Sequence, residues 1–417
     1  MKKYIFYSIL LALFIFACNN EQDPPIQPDP EQEETENDDD DSEEEEEEEE
    51  EENNDVESVN PNTITPQETP PTQNNSYTTE TIVNNMTKPW GMVFLPDGAM
   101  LITEISGDLI HFKDGIKTNV QNTPNVHVNG QGGLLDIELH PQYEENGWIY
   151  LSYSSSEGDG NGSNTAIMRA RLQETPLALI DNEILYKATP NTSSGNHYAG
   201  RINFDNDGFL YFSIGDRGNR DANPQDITRD AGKIYRLNDD GSIPSDNPFV
   251  GQSNAKEAIY SYGHRNPQGM TKHPITGKIW VHEHGPQGGD EINIIDNGLN
   301  YGWPVICHCI DYNGSNVTDN TAAEGMEQPS HYWFPSIAPS GMTFVTSNNY
   351  PQLTGNLLVG SLKFQYLERL VLDADNNVTT RESLLSGIGR VRDVKEGPDG
   401  FIYVAVEGIG IVRLIEQ

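Results

Sequence analysis

The chain has 417 residues, a formal net charge of −40 at pH 7 and three cysteines. Such an acidic chain is a poor partner for nucleic acid and for anionic lipid surfaces, because like charges repel. Three cysteines are too few for a disulfide framework.

Residues 1–18 predict a lipoprotein signal peptide. Lys2 and Lys3 precede an apolar run over residues 4–17, which is shorter than the roughly 18–20 residues of a membrane-spanning helix. The run ends at Cys18 in Ile-Phe-Ala-Cys, which resembles a bacterial lipobox with a lipidated cysteine. The alternative is a cleaved signal with an incidental cysteine. We therefore expect a protein of the bacterial cell envelope, periplasmic or on the cell surface, that touches a membrane only through its lipid anchor.

Residues 19–75 predict a disordered acidic linker. They contain 24 acidic residues and no Lys or Arg, and Glu43 to Glu52 is an unbroken run. A like-charged segment of this kind cannot bury apolar surface. Without the linker and the two lysines of the signal, 41 acidic and 23 basic residues remain. The remainder carries a charge of −18 and is acidic in its own right.

Residues 76–417 predict a single domain with a weak internal repeat. Each copy has a turn containing Pro, Asp or Gly, followed by four to six apolar or aromatic residues. No long stretch has helical periodicity. The six copies start at Leu95, His140, Phe204, His273, Tyr350 and Gly397.

This repeat predicts an all-β fold, a six-bladed propeller of four-stranded antiparallel blades. We expect the strand-like residues Thr78–Val83 to pair beside the last blade (Phe401 to Leu414) and to close the ring. A pair of packed sheets with similar turns is the alternative. Propellers bind ligands over their central channel, so the functional residues should be scattered along the whole domain.

One stretch, His282 to Asn293, combines two histidines, three carboxylates and three glycines. Carboxylates beside open backbone suit Ca²⁺, which takes six to eight oxygen ligands. The alternative is a long turn with solvated charges. Farther along, Cys307 and Cys309 flank His308. A disulfide across one residue is expected to be strained, and three consecutive residues rarely form a closed metal site.

The polar motifs of this domain carry a resemblance to a known family. From Lys88 to the C-terminus the chain resembles the soluble glucose/sorbosone dehydrogenases, above all the aldose sugar dehydrogenases that use pyrroloquinoline quinone (PQQ). The resemblance implies oxidation of the anomeric carbon of aldose sugars to lactones, with PQQ and Ca²⁺ as cofactors and an external electron acceptor. The matching motifs are Pro89 to Gly98, Gly130 to Asp136, His197 to Ile202, Ile214 to Gly218, Gly263 to Gly269, Asn300 to Pro304, Trp333 to Met342 and Arg390 to Asp393.

The same resemblance implies roles for single residues. His197 is the general base, Asp216 orients it, and Arg265 stabilises the charge that arrives with the hydride. Side chains expected to hold PQQ, in addition to Arg265, are Gln131, Asn266, Lys363, Arg390 and Arg392.

For the metal, the resemblance implies that the carbonyl oxygens of Gly285 and Pro286 bind the catalytic Ca²⁺. Asp290 and Glu291, with backbone near Tyr301, would bind a second, structural Ca²⁺. Trp333 either stacks on the sugar or serves in packing.

Two other functions stay open at this stage. A calcium-centred lactonase would need several acidic or amide side chains on its metal. A non-catalytic propeller that binds carbohydrate or protein would be expected to lack His197 or the basic residues. A nicotinamide enzyme is disfavoured, because no Gly-x-Gly-x-x-Gly motif lies between a strand and a helix.

Overall fold

Residues 70–417, which the computed structural model describes, form 25 β-strands and one short α-helix. The predicted signal peptide, Cys18 and most of the predicted linker lie outside the described residues. Within the described part of the chain, no helix is long and apolar enough to cross a membrane.

Two strands, β1 (Thr72–Asn74) and β2 (Tyr77–Asn84), precede the first complete sheet. Three four-stranded antiparallel sheets then follow in chain order, as blades 1 to 3. Their elements are β3 (Pro89–Phe94), β4 (Met100–Glu104), β5 (Leu109–Lys113) and β6 (Ile116–Asn119); β7 (Leu134–Leu139), α1 (Tyr143–Asn146), β8 (Trp148–Ser155), β9 (Asn164–Glu174) and β10 (Leu177–Lys187); and β11 (Ile202–Phe204), β12 (Leu210–Ile214), β13 (Lys233–Leu237) and β14 (Ile259–Tyr262).

Blades 4 and 5 repeat the pattern, and blade 6 takes its outermost strand from the start of the domain. The elements are β15 (Pro267–Lys272), β16 (Ile279–Glu283), β17 (Asp290–Ile294) and β18 (His331–Trp333); β19 (Pro339–Phe344), β20 (Leu357–Ser361), β21 (Tyr366–Leu372) and β22 (Val378–Leu384); and β23 (Val391–Glu396), β24 (Ile402–Val406) and β25 (Gly410–Glu416).

The first strands of the six blades contact one another in cyclic order, and the strand of blade 6 returns to that of blade 1. This arrangement is a closed six-bladed propeller, as the repeat predicts. Each copy of the repeat is the turn between the first and second strand of a blade, followed by the second strand. Every residue of these second strands is buried, because the neighbouring blades cover both of their faces. The second strands therefore read as apolar runs.

The ring is closed by β2, which pairs antiparallel with β25. The predicted pairing of Thr78–Val83 beside the last blade is confirmed. The backbone N–H of Gln417 also donates to the carbonyl oxygen of Ser76 at 2.8 Å. The predicted linker boundary needs a correction, because β1 pairs in parallel with β22 of blade 5.

Buried hydrogen bonds join each blade to the first strand of the next around the channel. A typical link is Ser213 Oγ of β12, which donates to the carbonyl oxygen of Pro267 at 2.9 Å. Polar groups this deep lose water on folding, so each link removes the cost of an unpaired carbonyl or amide. The other links are Thr103 to Leu135, Ser152 to Gly200, His282 to Ser340, Ser340 to Val391, and the Asp393 carboxylate to the amide of Met92.

Arg201 lies in the middle of this channel and was not singled out by the sequence. Its Nη1 contacts Asp136 at 3.1 Å and Asp393 at 3.0 Å. Its Nε donates to the carbonyl oxygen of Gln268 at 2.7 Å, and its guanidinium lies 4.1 Å from the ring centroid of Trp90. One buried cation thereby connects five of the six blades through residues 90, 136, 201, 268 and 393.

The closure by β2 can be tested by truncation. Deleting residues 1–84 removes β2 and exposes the edge of β25, and it also removes the buried side chains of Tyr77 and Val83. Burying two such side chains contributes about 3–6 kcal/mol, so we expect the midpoint of thermal unfolding to fall by about 10 °C. Deleting residues 1–75, which removes only β1, is the control and should lower it by far less. Equal midpoints for the two deletions, measured by circular dichroism, would contradict the closing role of β2.

Candidate active site

A cleft of about 270 Å³ opens at the end of the channel where the first strands begin. Loops from several blades meet there, as the scattered polar motifs predict. Both polar and apolar side chains line it, and the polar ones include two arginines and two amides. The lining includes Trp90, Gln131, Gln268, His284, Arg390 and Arg392.

His197 and Asp216 form a close pair beside this cleft. The distance from His197 Nδ1 to Asp216 Oδ1 is 2.6 Å. Asp216 also accepts hydrogen bonds from the amide of Gly218 at 2.7 Å and from Trp303 Nε1 at 2.9 Å. Because an ionised carboxylate can only accept, Nδ1 of His197 must carry a proton. In the neutral ring, Nε2 is then the free basic nitrogen.

The surroundings keep this pair in the protonation state that a base needs. Burial lowers the pKa of His197 below its ordinary value, against the opposing effect of Asp216. Burial alone would raise the pKa of Asp216, but the hydrogen bond from His197 and the charge of Arg265 outweigh it and lower that pKa. Near neutral pH the imidazole is therefore neutral and the carboxylate is ionised.

The loop that carries His197 has a strained backbone. His197 and Ala199 have φ values of 55° and 54°, in the left-handed region that costs a residue with a Cβ about 1–2 kcal/mol. Gln131 Oε1 accepts from the amide of His197 at 2.9 Å, and Asn266 Oδ1 accepts from the amide of Ala199 at 3.2 Å. Two of the predicted cofactor residues thus also fix the loop of the predicted base.

Arg217 also supports the loop that carries His197. Its guanidinium donates to the carbonyl oxygens of Ser194 and Asn196 and stacks 3.5 Å from the ring centroid of Tyr198. The sequence marks Arg217 only as part of a motif next to Asp216. Its contacts with residues 194–198 depend on the folded structure, and no local pattern predicts them.

Arg265 connects the His197–Asp216 pair to the glycine-rich turn after β16. Its carbonyl oxygen accepts from the amide of Asp216 at 2.7 Å. Its Nη1 donates to the carbonyl oxygens of His284 and Gly285, at 3.0 Å each. The carbonyl oxygen of Gly285, a predicted Ca²⁺ ligand, therefore faces a positive charge in this structure.

The glycine positions of the turn from Gly285 to Gly289 have no room for a side chain. A Cβ on Gly285 would lie 2.0 Å from the carbonyl oxygen of Gly288, and one on Gly288 would lie 2.3 Å from the ring of Phe334. Pro286 is buried within the turn. Glycine at these positions lets the chain fold back on itself, which brings the backbone carbonyls of residues 284 and 285 together at Arg265.

Asp290 holds this turn against blade 5. Its carboxylate accepts from the amides of Gly285 at 2.8 Å, Ile337 at 2.7 Å and Ala338 at 2.9 Å. Ser336 Oγ donates to both oxygens. Burial raises the pKa of Asp290 to about 6. The four donors occupy the oxygens that the sequence analysis assigns to a second Ca²⁺, so its contacts here are those of a positioning residue.

Glu291 has a different environment. Burial and the neighbouring Glu283 raise its pKa well above the ordinary value, and both acids line a small cavity with Tyr301 and Cys307. Two carboxyl groups that lie close together in a buried cavity favour the binding of a proton or of a cation. The Tyr301 hydroxyl donates to the carbonyl oxygen of Ile294 and accepts from the amide of Asp296. No group of three or more His, Cys, Asp or Glu side chains in residues 70–417 is arranged to hold a metal ion.

Two of the three predicted basic residues converge on the cleft. Arg390 Nε lies 2.8 Å and Arg392 Nη2 lies 2.5 Å from the carboxylate of Glu407. Glu407, which the sequence analysis did not single out, thus holds the two guanidinium groups side by side. Lys363 is exposed at the rim, with its Nζ 5.1 Å from the ring centroid of Phe364, and it does not line the cleft.

One buried polar atom beside the cleft has no partner. Among residues 70–417, no group accepts a hydrogen bond from Asn266 Nδ2, although this atom is buried. Leaving a buried donor unpaired costs about 1–3 kcal/mol. Together with the paired arginines, this donor fits a bound group that carries carboxylates or carbonyl oxygens.

The sugar contact expected at Trp333 is not supported by its position. Its side chain is fully buried and packs in a core cluster with Trp280, Ile292 and Met342. A ring without an exposed face cannot stack on a substrate. The alternative interpretation, that this tryptophan serves in packing, fits the structure.

Cys307 and Cys309 form a disulfide, a bond for which the sequence analysis expected strain. The two cysteines are bonded to each other, because the chain bends at His308 and brings their Cα atoms to 5.3 Å, within the usual range for disulfides. The imidazole of His308 stacks on Tyr332 with ring centroids 4.0 Å apart. A Cβ on Gly289 would lie 2.9 Å from Cys309 Cβ, so the disulfide packs directly behind the glycine-rich turn.

The chain is similar to known proteins over most of its length. It is 40% identical over 334 residues to the aldose sugar dehydrogenase YliI of Escherichia coli, which covers 79% of this chain and 89% of that protein. A crystal structure of the soluble aldose sugar dehydrogenase of Escherichia coli in the apo form superposes with a TM-score of 0.79 at 38% identity, and covers 82% of this chain and all of that one.

A third similar protein is the PQQ-bound aldose sugar dehydrogenase of Streptomyces coelicolor. Its structure has a TM-score of 0.67 and 26% identity, and covers 83% of this chain and 99% of that one. The family model described as glucose / sorbosone dehydrogenase matches residues 86–413, which include the strands from β3 to β24, most of β25 and every residue of the site described above. The chain therefore belongs to the glucose / sorbosone dehydrogenase family.

Proposed function

We propose that this protein oxidises aldose sugars at the anomeric carbon to lactones, with His197 as the general base and with PQQ and Ca²⁺ as cofactors. The observation that carries the proposal is the pair of His197 and Asp216, 2.6 Å apart, beside a cleft lined by Gln131, Arg390 and Arg392. The named activities of the similar proteins support the same reaction class.

The residues present fit PQQ, a planar quinone with three carboxylates. Arginine forks suit carboxylates, and Arg390 and Arg392 reach the cleft together. Gln131 and the unpaired amide nitrogen of Asn266 would add hydrogen bonds. When bound, PQQ supplies the two-electron acceptor that no amino-acid side chain provides.

The carbonyl oxygen of Gly285 accepts one hydrogen bond from Arg265, and its second lone pair is available to a cation. With Pro286 it would hold Ca²⁺, which supplies Lewis acidity when bound. Glu291 is the side chain that best fits a second ion, because it lines a small cavity together with Glu283.

The protein's own part in the chemistry is proton transfer and electrostatics. The sugar loses its anomeric hydroxyl proton to His197 Nε2 and a hydride from C1, and the lactone remains. Asp216 stabilises the imidazolium that forms. Arg265 supplies a fixed positive charge between the base and the turn of Gly285. The electrons finally leave for an external acceptor.

The direct test is reconstitution. We expect the purified protein to bind PQQ in an absorbance titration with Ca²⁺ present, and to reduce an electron-accepting dye with several aldoses. Failure to bind PQQ, together with failure to oxidise every aldose tried, would refute the proposal.

Replacing the base separates cofactor binding from turnover. His197→Ala removes Nε2 but none of the groups that hold the cofactor, so PQQ titration should be unchanged while kcat falls about 10²–10⁴-fold. His111→Ala on β5, outside the cleft, is the matched control and should keep wild-type kcat. Unchanged turnover in His197→Ala would show that another group is the base.

The pH profile tests the pairing of His197 with Asp216. The base must be neutral, so kcat/KM should fall as pH drops through the pKa of His197. Because burial lowers that pKa, the midpoint of the acid limb should lie below pH 6.5. Asp216→Asn removes the anion that favours the imidazolium, so it should move the midpoint to lower pH and reduce kcat at least about 100-fold. A midpoint at or above 6.5 would contradict the assignment.

A further inference from the structure

A second concave site lies beside the cleft, on blade 5. It has a volume of about 320 Å³, near the lower end of the range for small-molecule sites, about 300–1,000 Å³. Its walls carry three aromatic rings, and its rim carries polar groups. We call it the aromatic groove, and it is formed by Pro71, Gln73, Phe334, Phe364, Tyr366 and Ser383, among others.

The aromatic groove and the cleft share one wall. Ala338 and Leu362 line the cleft, and their neighbours Ile337 and Phe364 line the groove. The two segments are joined by hydrogen bonds from the amide of Leu362 to the carbonyl oxygen of Ala338 at 3.1 Å and from that of Lys363 to Ile337 at 3.2 Å. These two segments, which lie just before β19 and just after β20, form the wall between the two sites.

Phe334 also connects the groove to the glycine-rich turn. A Cβ on Gly288 would lie 2.3 Å from its ring, so the ring packs directly on the turn that carries Gly285 and Pro286. The groove therefore opens at the same end of the propeller as His197, next to the predicted Ca²⁺ ligands.

The aromatic surface suits a sugar ring. Phe364 is 43% exposed, and its ring lies nearly parallel to that of Tyr366, with an interplanar angle of 12° and centroids 6.1 Å apart. Flat aromatic faces pack against the C–H face of a pyranose, and polar groups around them can bond its hydroxyls. Gln73 and Ser383 supply such groups in the lining of the groove.

We propose that the aromatic groove is a second carbohydrate subsite. It would hold a further sugar residue of an oligosaccharide whose reducing end lies in the cleft at His197. The inference rests on the proposed function and narrows its substrate class to oligosaccharides with a free reducing end. Pro71 and Gln73 belong to the segment ahead of the first complete blade, so that segment forms part of the subsite.

Kinetics with glucose and with trisaccharides test the subsite. We compare wild type with Phe364→Ala, using glucose and α1→4- and β1→4-linked glucose trisaccharides. The variant should lose about tenfold in kcat/KM for at least one trisaccharide, which corresponds to about 1.4 kcal/mol, and should stay within twofold for glucose. Phe364→Leu keeps apolar volume without a flat face and should behave like the alanine variant. Tyr143→Ala, on α1 at the opposite end of the blades, should leave kcat/KM unchanged for glucose and for the trisaccharides.

Equal changes for glucose and for both trisaccharides would overturn the subsite. A binding measurement without turnover tests the subsite separately from the proposed function. Trisaccharides reduced to alditols cannot be oxidised at C1, and their contact with the protein is measured by saturation-transfer NMR without PQQ. Signals in wild type that are lost in Phe364→Ala support the subsite even if no aldose is turned over. Absent signals, or equal signals in both proteins, would refute it.

Discussion

The structure depends on hydrogen bonds that pass from each blade to the first strand of the next. Their donors are short buried side chains such as Thr103, Ser152 and Ser213, and their acceptors are carbonyl oxygens beside the channel. A buried carbonyl left without a donor would cost about 1–3 kcal/mol, so the spacing of neighbouring first strands is closely defined. The loops just before those strands carry Gln131, His197 and Arg390, and the strands themselves carry Trp90, Gln268 and Arg392. The positions of the site residues are therefore fixed by hydrogen bonds deeper in the channel.

The fold was largely predictable because the second strand of each blade and the turn before it tolerate only certain residue types. The second strand is covered on both faces, so it must be apolar, and the turn before it must reverse the chain, so it needs Gly, Pro or Asp. The first strands were not recognisable. Several contain a glycine and a register shift, as at Ser340 and Met342 in β19, and their polar side chains bond to other blades. These partners lie far away in sequence.

The candidate site was predictable where a short motif carries the group, as for His197, Asp216 and Asn266. Roles that depend on long-range contacts were not. Glu407 follows β24, yet it holds Arg390 and Arg392 together, and Arg217 supports a loop some twenty residues earlier. For Trp333 the sequence left a sugar contact and a role in packing both open. Sequence does not reveal which face of a strand points into the core, and in the structure its ring is buried.

The pairing of β2 with β25 has a topological consequence. The hydrogen bond between Ser76 and Gln417 places the two ends of the propeller next to each other. The covalent chain is thus interrupted at one point of a ring that is otherwise closed by sheet contacts. A short peptide joining these ends would make the backbone circular, and new termini could then be opened in an exposed turn of another blade. Circular permutation would move the chain ends away from blade 6 while every blade keeps its neighbours.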